Sequence, residues 1–254
     1  MLLLLPPSEG KTAPRRGAPL DLSGLVHPAL SPVRERTLEA LARFCAEDPA
    51  AAADALGLGP RGADEVLANV RLRDAPTAAA SRVYTGVLYD CLALATLSPG
   101  AKRRAARRVL IFSALWGVLR PADRIPAYRL PAGARIPGLP TSAALWRAPL
   151  RDALPDDELA VDLRSGPYRA LWRPAAAPLV AVDVVRERDG RRSVVSHMAK
   201  ATRGEVARLL LEADGRPPRS AEGVAERVAA AGRDVELSGP GRDGASTLTV
   251  VEPG

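Results

Sequence analysis

Short continuous runs of apolar residues along the chain predict buried strands. They fall at residues 2–5 (LLLL), 107–115 (RRVLIFSAL) and 159–163 (LAVDL). Runs of this length, bounded by prolines or charged residues, are typical of strands covered on both faces of a sheet. Two β-rich runs over 178–199 meet at Asp189-Gly190, which predicts a hairpin. The runs at 235–239 and 246–252 predict two final strands.

Helical periodicity occupies the segments between these runs. Apolar positions recur every three to four residues over 32–70, 87–108, 203–213 and 220–231. Ser31 with Pro32 predicts a capped helix start, as does Ser98 with Pro99, and Gly232 predicts a helix end. Residues 11–32 contain proline, glycine and a basic pair, and predict a long ordered loop. Without an internal repeat or an obvious linker, the pattern predicts one α/β domain over 1–254.

The composition is that of a soluble globular protein. Of the 254 residues, 47% are hydrophobic and 26% are charged. No apolar run approaches the ~18 residues that a membrane span needs, and no basic region precedes the opening leucines. We therefore expect a cytoplasmic protein without membrane contact. Cys45 and Cys91 form no CxxC pair, so we expect reduced thiols on helix faces, a redox-sensing thiol being the alternative.

The choice between lysine and arginine at each position says more about the function than the total charge does. A net charge of +7 and a pI near 10.1 favour polyanionic partners, although an arginine-rich composition also arises in GC-rich genomes. Among 36 basic residues, only Lys11, Lys102 and Lys200 are lysines. A lysine retained among arginines indicates a site that needs a compact ammonium. Lys102 lies in the helical AKRRAARR, where any cation would serve, so Lys11 and Lys200 are the informative ones.

The opening PPSEGKT ends like a phosphate-binding loop. The full pattern, GxxxxGK[ST], requires a leading glycine where this chain has Leu5, and a helix where it has Ala13-Pro14. We therefore do not expect an NTPase of that class. Lys11 and Thr12, presented by small residues after a strand, still suit an anion.

The segment ALGLGPRGADEVL (55–67) has the pattern of a helix-hairpin-helix hairpin, within a helical stretch of about 33–70. Gly57 and Gly59 would let backbone N–H groups approach a DNA phosphate, and Arg61 would add charge. Paired glycines also occur in ordinary helix–helix turns, and the residues do not decide between the two.

Two further segments combine cations with aromatic or hydroxyl groups. SALWGVLRPADRIPAYRL (113–130) offers Arg120, Tyr128 and Arg129 for stacking and phosphate contact. The alternative is that these arginines bond to carbonyls and pin the loop. For Trp116 in the same segment, a core position is favoured. Tyr84 and Thr85 in YTGVLYD (84–90) predict two hydroxyls at a tight strand-to-helix turn.

SHMAKATRGEVARLLLE (196–212) gathers basic groups where a strand is expected to pass into a helix. They are His197, Lys200, Arg203 and Arg208. Cations at the positive end of a helix are unfavourable for stability but suit an anion site; a solvated helix entry is the alternative. With His27 the only other histidine, we expect no histidine-based metal site and no cofactor.

These segments together resemble the YaaA family, bacterial proteins linked to peroxide stress. The residues that carry the resemblance are Lys11-Thr12 after the first strand, VYTG (83–86), WGVLRPADRIPAYRL (116–130), LW (145–146), VDLRSGPY (161–168) and SHMAKATRG (196–204) with Arg208. The resemblance implies a single α/β fold particular to the family, with a mixed β-sheet, surrounding helices and a helix-hairpin-helix element around a basic cleft. It also implies binding of double-stranded DNA and a role in limiting oxidative damage linked to intracellular iron. The opening loop is longer than the family's short Ser-Pro-x-Lys form.

Two functions follow as hypotheses. The first is a monomeric, cytoplasmic, largely sequence-nonspecific DNA-binding protein of the peroxide stress response. The second is an enzyme acting on a nucleotide, nucleobase or other small anion in the cleft. Its catalytic candidates are Lys11, Tyr128, His197 and Lys200, with Arg120 holding charge. Direct sequestration of iron is a weaker third hypothesis, because no cluster of metal ligands is visible.

Overall fold

A computed structural model describes residues 1–59, 62–193, 196–241 and 244–254 and confirms an α/β fold. The strands are β1 (Leu2–Leu5), β2 (Ala78–Ala79), β3 (Val109–Ser113), β4 (Gly117–Leu119), β5 (Arg124–Ile125), β6 (Ala160–Asp162), β7 (Leu179–Arg188), β8 (Arg191–Ser193), β9 (Asp234–Ser238) and β10 (Ala245–Pro253). The helices are α1 (Ser31–Glu47), α2 (Pro49–Ala55), α3 (Ala63–Val70), α4 (Ala80–Val83), α5 (Val87–Leu92), α6 (Pro99–Arg108), α7 (Ser142–Ala153), α8 (Gly166–Arg169), α9 (Ser196–Glu212) and α10 (Ala221–Ala230).

Eight of the strands within the described residues form one mixed sheet. Its order is β4-β3-β1-β6-β7-β10-β9, with β8 paired to the second half of β7. The inner strands β3, β1, β6, β7 and β10 are parallel, whereas β4, β8 and β9 pair antiparallel. The first strand of the chain therefore lies in the middle, and β3 and β6 occupy its two sides. β2 and β5 form a separate pair.

The burial of β1 explains its unbroken run of leucines. Leu3 and Leu5 belong to the larger hydrophobic core, whereas Leu2 and Leu4 belong to a second core on the opposite face. Because successive strand residues point to opposite faces, a strand covered on both sides needs an apolar residue at every position. The prediction of a buried strand at residues 2–5 is confirmed.

The predicted helix boundaries are partly right. Ser98 accepts a hydrogen bond from the Ala101 N–H at 3.2 Å and caps α6, and Gly232 follows α10 with φ of +84°. The prediction that Ser31 caps the first helix is wrong. Its hydroxyl instead donates to the Leu22 carbonyl at 3.2 Å, because the preceding loop folds back over the start of α1.

The hairpin at Asp189-Gly190 is confirmed, with positive φ angles of 51° and 71°, but the second strand is shorter than predicted. β8 ends at Ser193, and α9 already begins at Ser196 rather than at 203. The buried residues of this segment recur at helical spacing, at Ala199, Thr202 and Val206. As a helix, the segment packs one face against the core. His197 and Lys200 therefore lie in the first turns of α9 and not in a loop.

One glycine sets the position of α9. A Cβ at Gly204 would lie 2.3 Å from the Leu88 carbonyl oxygen of α5, so only glycine permits this close helix contact. In the part of the chain that the structure describes, no helix is both long enough and apolar enough to cross a membrane.

Candidate functional site

A cavity of about 630 Å³ opens at the carboxyl ends of β1 and β6. The loop after β1 (residues 6–11) and the segment after β6 (residues 163–168, which includes the start of α8) form two of its walls. Residues 85–89, residues 129–133 and one face of α9 complete it. β1 has a parallel neighbour on each side, β3 and β6. This edge of the sheet is therefore a topological switch point, where open α/β sheets commonly bind ligands.

The charges on the cavity wall are mostly positive. Four cations line it: Lys11, Arg129, Lys200 and Arg203. Among the described lining residues, Glu9 is the one carboxylate that faces them. These cations come from three distant segments of the chain, with Lys200 and Arg203 on the same helix α9, so the fold concentrates positive charge in a concave space. Thr85 and His197 line the same cavity.

Lys11 is held by carbonyls and aromatic rings. Its Nζ donates to the Ser8 carbonyl at 2.8 Å and, more weakly, to the Glu9 carbonyl at 3.4 Å. Nζ also lies 4.4 Å from the ring centroid of Tyr128 and 5.7 Å from that of Tyr84. The backbone of Lys11 forms a β-bridge with Tyr84. The lysine of the GKT sequence is therefore folded back into the wall, and no helix follows it as in a phosphate-binding loop.

A buried hydroxyl network lies behind Lys11. The Tyr128 hydroxyl is 2.8 Å from that of Tyr84 and 2.7 Å from Ser113 Oγ. Ser113 Oγ already accepts from the Leu115 and Trp116 N–H groups, so its own proton goes to Tyr128. Burial raises the pKa of Tyr84 and of Tyr128, which keeps both phenols neutral. The network therefore provides hydrogen-bonding groups but no negative charge for Lys11.

The surroundings of Lys11 shift its protonation equilibrium toward the neutral amine, compared with an ordinary lysine. Loss of solvation on burial is the main cause that lowers its pKa to about 8, and the nearby charge of Arg129 acts in the same direction. The carboxylates of Glu65 and Glu9 oppose the shift without cancelling it. An amine with a pKa near neutrality is a usable base or nucleophile.

We expect Lys11→Met to stabilise the protein at neutral pH. The folded-state pKa of Lys11 lies below its ordinary value, so between about pH 8 and pH 10.5 the unfolded chain binds the proton that the folded chain has released. The free energy of unfolding of the wild type therefore rises as the pH increases through this window. Below about pH 8, the buried ammonium lowers the free energy of unfolding. Lys11→Met should raise the free energy of unfolding by about 2 kcal/mol at pH 7, with no gain left near pH 10.5.

Urea unfolding at both pH values measures this difference. Lys102→Met is the matched control, because Lys102 is exposed on α6 and its replacement should change stability by less than about 0.5 kcal/mol. A Lys11→Met protein that is less stable than the wild type at pH 7 would contradict the prediction.

The α9 wall presents three of the predicted residues at helical spacing. His197 and Lys200 are exposed, and Arg203 is partly buried. Arg203 Nε donates to the Val182 carbonyl at 3.1 Å, and its Nη2 lies 3.5 Å from Asp183. Burial, followed by the charge of Arg169, lowers the pKa of Arg203. Lys200 has no such anchor among the described contacts, which leaves its ammonium available to a ligand.

Arg129 connects the cavity to the loop after α2. The Asn69 side chain clamps the Arg129 backbone, accepting from its N–H at 2.9 Å and donating to its carbonyl at 2.8 Å. Arg129 Nε donates to the Leu56 carbonyl at 3.3 Å. Leu56, the residue directly before Gly57, is thus bonded to a residue of the cavity wall.

Other predicted residues lie elsewhere. Arg120 donates to the Arg107 carbonyl and, at 3.3 Å, to that of Val109, so it pins a loop outside the cavity. The backbone N–H of Thr12 bonds to the Val83 carbonyl at 2.9 Å. Arg208 donates to the Leu92 and Ala93 carbonyls at the end of α5. Arg61 is outside the described residues.

The predicted strand-to-helix turn at Tyr84 is wrong, and the predicted core position of Trp116 is confirmed. The turn at Tyr84 and Thr85 follows the short helix α4, so it joins two helices rather than a strand and a helix. Trp116 is fully buried and packs edge-on against Tyr128 at 5.6 Å, as a core residue. Both cysteines are free, and burial raises the pKa of each thiol.

Sequence reasoning did not single out three groups of this site. Ser8 Oγ accepts from the Thr85 N–H at 3.1 Å, and the Tyr89 hydroxyl donates to the Pro6 carbonyl at 2.7 Å. Tyr168 lines the cavity, and burial raises its pKa to about 12. Their positions in PPSEGKT, YTGVLYD and VDLRSGPY, next to predicted site residues or within the family motifs, could have indicated them. Across the described ranges, no group of three or more His, Cys, Asp or Glu residues could hold a metal ion.

Comparison with known proteins gives consistent matches along the chain. A family model described as "Peroxide stress protein YaaA" matches residues 1–225. A UPF0246 protein of Streptomyces coelicolor is 45% identical over 248 residues, covering 96% of this chain and 95% of that relative. A UPF0246 protein of Corynebacterium efficiens is 44% identical over 256 residues, covering 99% of this chain and 100% of the relative. One from Corynebacterium glutamicum is 40% identical over the same coverage.

Proposed function

This chain belongs to the family of the peroxide stress protein YaaA, and on that premise we propose that it protects against peroxide stress by binding a phosphate-bearing anion in its cavity. The ligand is of nucleotide size, since about 630 Å³ lies within the usual range for small-molecule sites. The observation that best supports this proposal is that four cationic side chains and one carboxylate line the same concave cavity. A phosphate group would meet Lys200 and Arg203 from α9 and Arg129 from another segment of the wall.

Titration calorimetry with a phosphate monoester and its phosphate-free counterpart tests this proposal. Adenosine 5′-monophosphate should bind, and adenosine should bind at least about tenfold more weakly, because charge-assisted hydrogen bonds to phosphate are strong. Lys200→Gln should weaken binding of the monophosphate by about tenfold or more. Lys102→Gln removes the same charge from an exposed position outside the cavity and should leave binding unchanged.

Equal effects of the two lysine substitutions would refute the cavity as the binding site. Absence of binding for a panel of nucleoside monophosphates and sugar phosphates would refute the anion proposal. In cells, a strain lacking this protein should regain survival in hydrogen peroxide with the wild-type chain but not with Lys200→Gln. The link to intracellular iron that the resemblance implies stays a prediction.

A second candidate function, binding of double-stranded DNA, is favoured by the loop between α2 and α3. Gly57 has φ of +64°, and among the described residues no atom beyond the chain neighbours lies within 4 Å of a Cβ at Gly57 or Gly59, so these two residues are open to a large ligand. The contact of Leu56 with Arg129 places the loop beside the cationic cavity. Backbone N–H groups here would contact phosphates without reading bases, giving sequence-nonspecific binding.

Fluorescence anisotropy with a labelled duplex tests this candidate. Affinity should fall steeply as salt rises from about 50 to 200 mM, as counterion release requires. Gly59→Asp should weaken binding about tenfold by adding a carboxylate beside the phosphate path. Gly239→Asp is the control, because Gly239 is also exposed with open space around it. Salt-independent binding, or equal effects of both variants, would reject the loop as a DNA contact.

A further inference from the structure

The Lys11 amine lies in the cavity wall and forms no ion pair with any residue that the structure describes. Its described hydrogen bonds go to backbone carbonyls, and its aromatic neighbours are neutral phenols. Among the described residues no carboxylate forms an ion pair with it, although Glu9 lies on the same loop and Glu65 acts from a distance. Three arginine and lysine groups share the cavity, so a phosphate has partners that do not require Lys11.

We propose that Lys11 is a nucleophilic amine that captures the carbonyl carbon of an aldehyde or ketone carrying a phosphate group. The inference rests on the proposed anion site, because Arg129, Lys200 and Arg203 would hold the phosphate while the carbonyl reaches Lys11. Lysines that form Schiff bases are commonly activated by desolvation and by a neighbouring cation. Lys11 has both, from the cavity wall and from Arg129.

The reaction needs no oxidant or reductant. The lone pair of the neutral amine attacks the carbonyl carbon, a C–N bond forms, and the C=O π electrons move to oxygen. Transfer of one amine proton to that oxygen gives a carbinolamine. Its hydroxyl then leaves as water after taking up a further proton, and the nitrogen lone pair completes the C=N bond of an iminium ion. The substrate class is therefore a small phosphorylated aldehyde or ketone, such as a sugar phosphate in its open-chain form.

The groups that face Lys11 determine how this reactivity depends on pH. Arg129 lowers the pKa of the amine, Glu65 and Glu9 raise it, and Tyr84 and Tyr128 stay neutral at physiological pH. At about pH 7.5 the neutral fraction of an amine titrating near pH 8 is on the order of a hundredfold larger than that of an ordinary lysine. Adduct formation at Lys11 should therefore rise with pH and level off above about pH 8.

The chain offers a direct experiment, because it contains three lysines in all. The full-length protein is incubated with pyridoxal 5′-phosphate, an aldehyde that carries a phosphate, then reduced with borohydride and mapped by peptide mass spectrometry. We expect labelling at Lys11 at least tenfold faster than at Lys102, slowed by inorganic phosphate. Pyridoxal, which lacks the phosphate, should label Lys11 at least fivefold more slowly. Lys11→Arg should abolish the main adduct, and Lys102→Arg should not.

The outcomes separate this inference from the proposed function. Equal labelling of Lys11 and Lys102, together with intact binding of nucleoside monophosphates, overturns the nucleophile and leaves the anion site standing. If pyridoxal and pyridoxal 5′-phosphate label Lys11 at equal rates, and inorganic phosphate does not slow the reaction, the claim that the substrate must carry a phosphate is overturned. Labelling mainly at Lys200 assigns the reactive amine to α9 and refutes the role of Lys11. Because the wild-type map decides each case, a variant that fails to fold does not obscure the result.

Discussion

Asp162→Ala should lower the free energy of unfolding by about 3–5 kcal/mol, because it leaves a buried guanidinium without its counter-ion. Asp162 and Arg164 are almost completely buried and form a bidentate pair, with Nε–Oδ1 and Nη2–Oδ2 distances of 2.8 Å. Arg164 also donates to the Trp172 carbonyl and stacks 4.1 Å from the ring centroid of Phe112. Denaturant unfolding measures the loss.

The consequences of Asp162→Ala reach the cavity. The loop that follows β6 forms one of its walls, and the Arg164 N–H also bonds to Asp162 at 3.0 Å. We therefore expect weaker binding of phosphate monoesters as well. Asp152→Ala is the control, since Asp152 forms an exposed ion pair with Arg151 and its loss should cost less than about 0.5 kcal/mol. A double variant, Asp162→Leu with Arg164→Met, should recover most of the stability, because replacing both partners leaves no charge buried.

Arg34→Met is expected to cost a comparable 3–5 kcal/mol, about as much as losing one partner of a buried ion pair. Arg34 is fully buried in α1, and its guanidinium donates to four backbone carbonyls. These belong to Val26 at 2.7 Å, His27 at 3.3 Å, Trp116 at 3.0 Å and Val118 at 3.0 Å. Methionine reaches only about as far as Nε and has no donor, so the four carbonyls would lose their bonds to the guanidinium without regaining water, although those of His27 and Trp116 keep a backbone donor.

The matched control for Arg34→Met lies two residues away. Arg36 is on the exposed side of the same helix, and its one described bond, to the Gly138 carbonyl at 3.4 Å, is weak. Arg36→Met should therefore change stability by less than about 0.5 kcal/mol. Similar losses in the two variants would show that the carbonyl cluster is not the source of the effect. Thermal and urea unfolding of both proteins make the comparison.

Arg34 and Asp162 show why sequence reasoning recovered only part of the buried polar structure. Arg34 shares the helical spacing of the buried Leu38 and Leu41, but that spacing does not show which distant carbonyls would bind a buried guanidinium. Its partners lie up to 84 positions away along the chain. Asp162 and Arg164 stand close together in VDLRSGPY, but their burial depends on Phe112 and Trp172 packing over them.

The candidate site was also predicted only in part. Lys11, Lys200 and Arg203 stood out because of their residue types and local surroundings, and the structure brings them to one cavity. Arg120 had equally suggestive neighbours, yet it bonds to carbonyls outside the cavity. Aromatic and cationic residues in a loop are compatible with both outcomes, and only the direction of the folded loop separates them.

The sequence by itself determined the buried first strand, the α/β pattern, the capped start of α6 and the turn at Asp189-Gly190. Each of these depends on residues close together in the chain, through side-chain alternation, backbone conformation or a local hydrogen bond. The tertiary structure decided the strand order, the extent of α9, and the gathering of Lys11, Arg129, Lys200 and Arg203 around one cavity. It also lowered the pKa of Lys11, because that shift comes from burial and from Arg129, which is more than a hundred residues away along the chain. Desolvation and Coulomb interactions depend on distance in space, which the spacing of residues in a sequence does not give.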